Sequence, residues 1–155
     1  MGVSGSVASL AALRAAVAEA RNSRRELTAV IAWEVPEGRV LYFRNPDPAW
    51  AAHWAKQARQ RLDLAFEEAL GGTPADVPVR KLVVRGMPGK VLRDVANQEG
   101  HVLVVGARLK SRWAPVRSYV RWHAQCPVLT VPAPRCPMRA AWTLRRAAAE
   151  DFVKR

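Results

Sequence analysis

Two short stretches of the chain contain residue types that can act in nucleophilic catalysis. His123 precedes Cys126 by three residues, and such a pair could activate a thiolate if a third group oriented the histidine. The two residues straddle the end of a predicted helix and the start of a predicted strand, however, and the sequence offers no third group. The turn Ser4-Gly5-Ser6 lacks the Gly-x-Ser-x-Gly setting and the supporting acid and histidine of a serine nucleophile. The sequence therefore predicts a protein that is not an enzyme.

The charge of the chain is strongly positive and unevenly distributed. The net charge is +12 over 155 residues, from 25 Lys and Arg against 13 Asp and Glu. Residues 100–149 contain no acid but nine basic residues. These are Arg108, Lys110, Arg112, Arg117, Arg121, Arg135, Arg139, Arg145 and Arg146. The surplus permits an anionic partner such as nucleic acid, acidic lipid or a phosphorylated small molecule, and a solvated basic face without a ligand explains it equally well.

Two tryptophans lie among these arginines. Trp113 and Trp122 are interspersed with Arg112, Arg117 and Arg121. Single-strand nucleic-acid binders combine stacking aromatic rings with cations in this way. Nucleic acid is therefore an alternative partner for this third of the chain.

The cysteines predict neither a disulfide nor a metal site. Cys126 and Cys136 are the only two, and they flank the strand-like segment Pro127–Pro132. An extended strand of that length would hold them about 20 Å apart, far beyond the ~7 Å that a disulfide allows. No histidine stands at a persuasive ligand spacing, so the sequence requires no metal. Cys126 is expected to be a buried, small apolar residue.

Hydrophobic periodicity predicts alternating helices and strands. The predicted helices are Ser6 to Arg24, Ala49–Leu70, Gly89 to Gln98, Pro115–Ala124 and a terminal helix Pro137–Arg155. The predicted strands are Leu27–Trp33, Val79–Arg85, His101–Gly106 and Pro127–Val131, with loops at Val35–Pro48 and Ala107–Ala114. This alternation predicts a single α/β domain, a doubly wound parallel sheet with helices on both faces. We place the domain at residues 1–133 and a helical C-terminal extension at residues 134–155.

The composition also bears on localisation. No apolar run reaches the roughly 18 residues of a membrane span. The start of the chain lacks the basic and apolar stretches of a secretory signal. We therefore expect a cytoplasmic protein that does not enter a membrane.

Four local patterns, taken in this order, resemble the universal stress protein family. They are the opening Gly2-Val3-Ser4-Gly5-Ser6, the strand Leu27–Trp33, the glycine–proline turn in Val84–Leu92, and a closing module formed by Val104–Arg108 with His123–Leu129. The resemblance implies a Rossmann-like, five-stranded parallel sheet and a homodimer joined through the last strand, Pro127 to Val131. It also implies a regulatory or protective protein that binds an adenine nucleotide, such as ATP, without turnover.

The resemblance places the nucleotide at the carboxyl ends of the first and fourth strands. The implied binding residues are Gly2, Val3, Ser4, Trp33, Gly106, Ala107, Arg108, Lys110, Arg112 and Val116. Gly2, Val3 and Ser4 would line one side, Trp33 would cover the adenosine end, and Gly106, Ala107 and Arg108 would approach the phosphates. Backbone N–H groups freed by glycines, and a helix start, are the physical means of holding phosphates there.

The chain departs from the Gly-x2-Gly-x9-Gly-[Ser/Thr] motif of the nucleotide-binding members. Ser4 stands at the family's acidic position, Leu109 at the second glycine, and Ala114-Pro115 at the Gly-[Ser/Thr] pair. Proline removes a backbone donor, so the side chains of Arg108, Lys110 and Arg112 would have to attract phosphate by charge. The alternatives are a dimeric stress-response interaction module without nucleotide, acting through a protein partner, and a basic nucleic-acid-binding protein.

The start of the chain is unusual for that family. Only Met1 precedes Gly2, whereas the resemblance implies several apolar residues forming a central strand. We expect either a short first strand or a start that lies upstream.

Overall fold

A computed structural model of the protein describes residues 1–36, 47–107 and 115–134. The predicted terminal helix, most of the two long loops, Trp113 and Cys136 lie outside these residues. So do three of the expected phosphate contacts, Arg108, Lys110 and Arg112.

The first helix, α1 (Val7–Ser23), has clear signals at both ends. The Ser6 side chain caps its start by accepting a hydrogen bond from the Ser9 N–H, which satisfies one of the free donors of the first turn. Arg24 ends it in a left-handed conformation with φ of 52°. Small and branched apolar residues line its buried face, namely Ala8, Ala12, Leu13, Ala16, Val17 and Ala20.

The remaining elements follow the predicted alternation. They are β1 (Leu27–Trp33), α2 (Pro48–Leu70), β2 (Val79–Arg85), α3 (Pro88–Val95), β3 (Leu103–Ala107), α4 (Pro115–His123) and β4 (Val128–Pro132). Prolines open α2 and α3, where a missing N–H removes no helical hydrogen bond. Asp47 caps α2 by accepting from the Ala49 and Trp50 N–H groups.

The strands form two parallel pairs, β1 with β2 and β3 with β4. Residues Met1–Val3 lie between the pairs. The Val3 N–H donates to the Val30 carbonyl at 2.8 Å, and the Gly2 N–H donates to the Val104 carbonyl at 3.1 Å. The parallel α/β architecture is therefore confirmed. The described residues form two pairs of strands and one bridge between Gly2 and Val30, so a five-stranded sheet is not confirmed.

Helices cover both faces of these strands, because successive side chains of a strand point in opposite directions. One core lies beneath α1 and α2 and includes Leu13, Ile31, Phe66 and Val104. The other lies beneath α3 and α4 and includes Val30, Leu92, Leu103, Val120 and Cys126. Cys126 is buried with a free thiol, as predicted.

Two predicted boundaries move inward between α3 and β3. The helix ends at Val95, short of Gln98, and the His101 N–H donates to the Gln98 carbonyl in a turn at 3.2 Å. The strand starts at Leu103, whose N–H donates to the Pro127 carbonyl at 2.9 Å. Residues 96–102 therefore belong to neither the helix nor the strand, because the turn from Gln98 to His101 lies between them.

Candidate functional site at the carboxyl ends of the strands

The first loop, Ser4-Gly5-Ser6, is held in place by a buried serine of α1. The Ser4 N–H donates to Ser9 Oγ at 2.9 Å, and the Ser9 side chain is only 3% exposed. Ser9 in turn donates its N–H to Ser6 Oγ at 3.3 Å. Gly5 turns the chain with φ of 71°, a conformation that favours glycine. The hydroxyls of Ser4 and Ser6, 3.1 Å apart, are therefore presented from a fixed turn.

The end of β3 meets this loop at Gly106. A Cβ atom on Gly106 would overlap the Ala8 carbonyl and lie 2.8 Å from the Ser9 nitrogen. Glycine therefore allows β3 to approach the backbone of the first turn of α1. The sequence predicted that Gly106 would approach the phosphates of a ligand. In the structure, the group that Gly106 approaches is the backbone of α1 at Ala8 and Ser9.

Trp33 ends β1 at the same edge. The Arg85 guanidinium lies 5.8 Å from the centre of the Trp33 ring, within range of a cation–π contact. The Trp33 carbonyl accepts a hydrogen bond from the Gly86 N–H at 2.9 Å. The ring is half-buried and packs against the core beneath α1 and α2.

Arg61 of α2 is a neighbour of the first loop that sequence reasoning missed. A Cβ atom placed on Gly5 would lie 3.5 Å from Cγ and 3.7 Å from Cδ of Arg61. Within the described residues, Arg61 has no hydrogen bond or ion pair. Its place beside Leu62, and one turn from the buried Ala58 and Ala65, could have indicated an edge of the core face, but not the loop it contacts.

The first turns of α2 carry an aromatic cluster. His53 stacks on Trp50 with ring centres 5.5 Å apart, and Trp54 packs edge-on against Trp50 at 5.6 Å. Trp54 Nε1 is buried and has no hydrogen-bond partner among the described residues, which is uncommon for a buried donor. Trp54 and Arg61 are seven residues apart and so share one side of the helix.

The structure brings several of the predicted binding residues to one edge. Those at or just beyond the carboxyl ends of the strands are Ser4, Trp33, Gly106 and Ala107. Gly2 and Val3 lie within the sheet instead, bonded to Val104 and to Val30 in the middle of β1. Val116 packs instead against the core beneath α3 and α4. The predicted site thus lies where adjacent parallel strands end.

A cavity beside α3 is less suited to an anion than the first loop is. It has a volume of about 340 Å³ and is lined by Arg85 and Lys90, but also by Glu34 and Asp94. The acidic side chains offset the basic ones.

The opposite edge has a cavity of about 350 Å³ between the starts of β1 and β3, beyond Met1. Its walls include Thr28, Leu92 and Leu103. The Met1 amino group donates to the Thr28 carbonyl at 2.6 Å. Burial lowers the pKa of this amino group from 8.0 to about 6, because a charge is poorly solvated there.

Residues 1–132 match the universal stress protein family, which is most of the chain and all of the elements described above. The chain belongs to the universal stress protein family. A comparison with curated protein sequences finds no match.

Solved structures of universal stress proteins share this fold. The universal stress protein UspA from Lactobacillus plantarum has a TM-score of 0.63 at 22% identity, over 84% of this chain and 93% of that one. A family member from Burkholderia pseudomallei has a TM-score of 0.61 at 23% identity, over 85% and 92%. A universal stress protein in complex with cAMP has a TM-score of 0.53 at 22% identity, over 86% and 94%. This chain spans nearly the full length of each.

The described part of this universal stress protein contains no group of three or more His, Cys, Asp or Glu side chains placed to hold a metal. None of its helices within residues 1–36, 47–107 and 115–134 is long and apolar enough to cross a membrane. The first loop at the carboxyl edge offers serine hydroxyls and backbone amides, which can donate to an anion, while the acidic Glu34 follows Trp33 at the end of β1.

Proposed function

We propose that this universal stress protein binds an adenine nucleotide at the carboxyl edge of its strands and acts, without turnover, as a regulatory or protective protein of the cytoplasm. The observation that supports this is the fixed first loop, which meets the end of β3 with the Ser4 and Ser6 hydroxyls presented outward. Ligands of open α/β sheets bind at this edge. The similar protein solved with cAMP supports an adenine nucleotide as the ligand class.

The degenerate glycine motif bears on which nucleotide is bound. Leu109 and Ala114 replace glycines that would let backbone amides approach a triphosphate, and Pro115 replaces the Ser or Thr that follows. Arg108, Lys110 and Arg112 of the same loop offer side-chain charge instead. The proposal therefore covers ATP, AMP and cAMP, and the experiment compares them.

Calorimetric titration of the purified protein with these three nucleotides tests the proposal. We expect saturable binding of at least one, and no release of phosphate from ATP. Ser4→Ala should weaken binding by about 2- to 10-fold, the effect of losing one neutral hydrogen bond. Ser118→Ala, an exposed serine of α4, is the matched control and should leave binding unchanged. The proposal fails if no nucleotide saturates the protein at millimolar concentration.

We also propose a homodimer joined through β4. Leu103 donates to Pro127, and Ala133 donates to Ala107, so the alternation of a parallel ladder turns the N–H of Thr130 away from β3. Thr130→Pro removes an outward donor without touching the inner ladder. It should convert a dimer to a monomer in analytical ultracentrifugation, and a dimer that survives this change would place the interface elsewhere.

A second candidate function is nucleic-acid binding by α4. Trp122 is 86% exposed and adjoins Arg121, with Arg117 one turn away. Trp122→Ala should weaken binding of a short single-stranded DNA by about 1–3 kcal/mol if the ring stacks on a base. An affinity that depends on salt but not on Trp122 would reflect net charge alone.

A further inference from the structure

We propose that Arg61 of α2 binds the phosphate of the ligand over the first loop, and that it thereby selects charged adenine compounds over uncharged ones. This inference rests on the proposed function, because it names a binding residue and a ligand group for that same site. Arg61 lies on α2, whereas the sequence predicted the phosphate contacts in the loop after β3.

The position of Arg61 is set by packing on the turn. Its Cγ and Cδ atoms lie 3.5 and 3.7 Å from where a Cβ atom of Gly5 would be. The aliphatic stem therefore covers the glycine, and the guanidinium follows two bonds beyond Cδ. An arginine stem that packs on apolar surface while its charged end stays in water is common. The guanidinium is therefore attached two bonds from an atom that packs on the loop carrying Ser4 and Ser6.

No acid of α2 neutralises this charge. Helical neighbours three and four residues away are the positions that form ion pairs. For Arg61 those positions hold Gln57, Ala58, Leu64 and Ala65. The first loop contains no acid either, since Ser4 stands at the position that is acidic in the nucleotide-binding family members.

Both arginines of α1 are occupied. Arg14 donates to the Ala69 carbonyl at 2.8 Å, and Arg21 donates to the Asp76 carboxylate through two nitrogens. These contacts join α1 to the end of α2 and the segment after it. Arg61 has no such structural partner among the described residues, so its donors are available to a ligand.

The donors around the turn suit a phosphate. A guanidinium offers a planar fork that matches two phosphate oxygens, and the Ser4 and Ser6 hydroxyls can donate to others. Uncharged adenosine has no group that uses the fork. The ratio of the dissociation constants of AMP and adenosine therefore measures what Arg61 contributes.

The test compares Arg61→Gln with Arg59→Gln by calorimetry with AMP, adenosine and inorganic pyrophosphate as probes. Both changes remove one positive charge from α2, but Arg59 points away from Arg61, two positions along the helix. We expect Arg61→Gln to weaken AMP by about 10- to 100-fold, as for a charged hydrogen bond, and to leave adenosine unchanged. Arg59→Gln should change neither. Arg61→Lys should recover part of the loss, because it restores the charge without the fork.

The outcomes separate this inference from the proposed function. If the wild-type protein binds AMP and Arg61→Gln binds it equally well, the role of Arg61 is wrong while the nucleotide site stands. If the wild-type protein binds pyrophosphate but no adenine compound, and Arg61→Gln abolishes this, the phosphate contact stands and the nucleotide is wrong. Failure to bind any of the three probes overturns both.

Discussion

In a chain that begins at Met1, the buried amino group of that residue should make the stability depend on pH between about 6 and 8. The group donates to the Thr28 carbonyl, and burial lowers its pKa from 8.0 to about 6. One pKa unit corresponds to about 1.4 kcal/mol, so protonation lowers the free energy of unfolding by roughly 3 kcal/mol relative to the neutral amine. For a chain that retains Met1 at its start, this is a large fraction of a typical domain's stability.

The direction of the effect follows from when each state takes up the proton. The unfolded chain is protonated as the pH falls through 8.0, whereas the folded chain is protonated only as it falls through about 6. The unfolded state therefore binds more protons in this window. The free energy of unfolding falls as the pH falls from 8 to 6, and this contribution is constant outside the window.

Urea denaturation at closely spaced pH values measures this dependence, with retention of Met1 checked by mass spectrometry. The control is the same protein acetylated at Met1, which keeps an N–H for the Thr28 carbonyl but cannot be protonated. The three histidines are present in both forms, so they cancel in the difference. We expect the difference in free energy of unfolding to change by roughly 3 kcal/mol across the window. A difference that is independent of pH would refute the burial of an uncharged amine.

Three further predictions concern the close contact at Gly106, the first loop and the cavity beyond Met1. Gly106→Ala should lower the free energy of unfolding by about 1–3 kcal/mol in chemical denaturation, because its methyl group would overlap the Ala8 carbonyl; unchanged stability would mean that α1 shifts freely. Ser9→Ala should lower it by about 1 kcal/mol, since the Ser4 N–H loses its acceptor, and hydrogen exchange at that amide should accelerate, so an unaltered rate would contradict the prediction. A short run of valines before Met1 should raise the melting temperature above that of a glycine–serine run of equal length, because valine favours a strand in the cavity of about 350 Å³; equal temperatures would show that the cavity does not accept a strand.

The elements could be predicted from the sequence because their signals are local. The continuous apolar run Leu27–Trp33 and the proline and glycine at the two ends of α2 specify their own structure. The end of α3 could not be predicted as well, because the turn from Gln98 to His101 competes with another helical turn of nearly equal propensity. The pairing partner of each strand also depends on contacts distant in sequence, which periodicity does not contain.

The site was predictable only as far as topology places it. Parallel strands bring their carboxyl ends to one edge, so Ser4, Trp33 and Gly106 could be placed together before their contacts were known. The contact between Arg61 and Gly5 depends on the rotation of α2 about its axis and on its offset from the first loop. Neither can be obtained from a hydrophobic stripe, which fixes only the face that is buried.

Net charge alone predicts attraction to any polyanion, with an affinity that falls as salt is added. Among the described residues, some arginines have a partner within the protein and Arg61 does not. Arg21 is occupied by Asp76, and Arg14 by carbonyl groups at the end of α2. The stem of Arg61 packs on Gly5 of the first loop, and no acid stands three or four residues from it on α2. An arginine whose stem packs on a fixed turn has a limited space for its guanidinium, and the fork of that group matches two phosphate oxygens. Selectivity between AMP and adenosine therefore tests the site more directly than affinity for any single anion, since surface charge favours all anions alike.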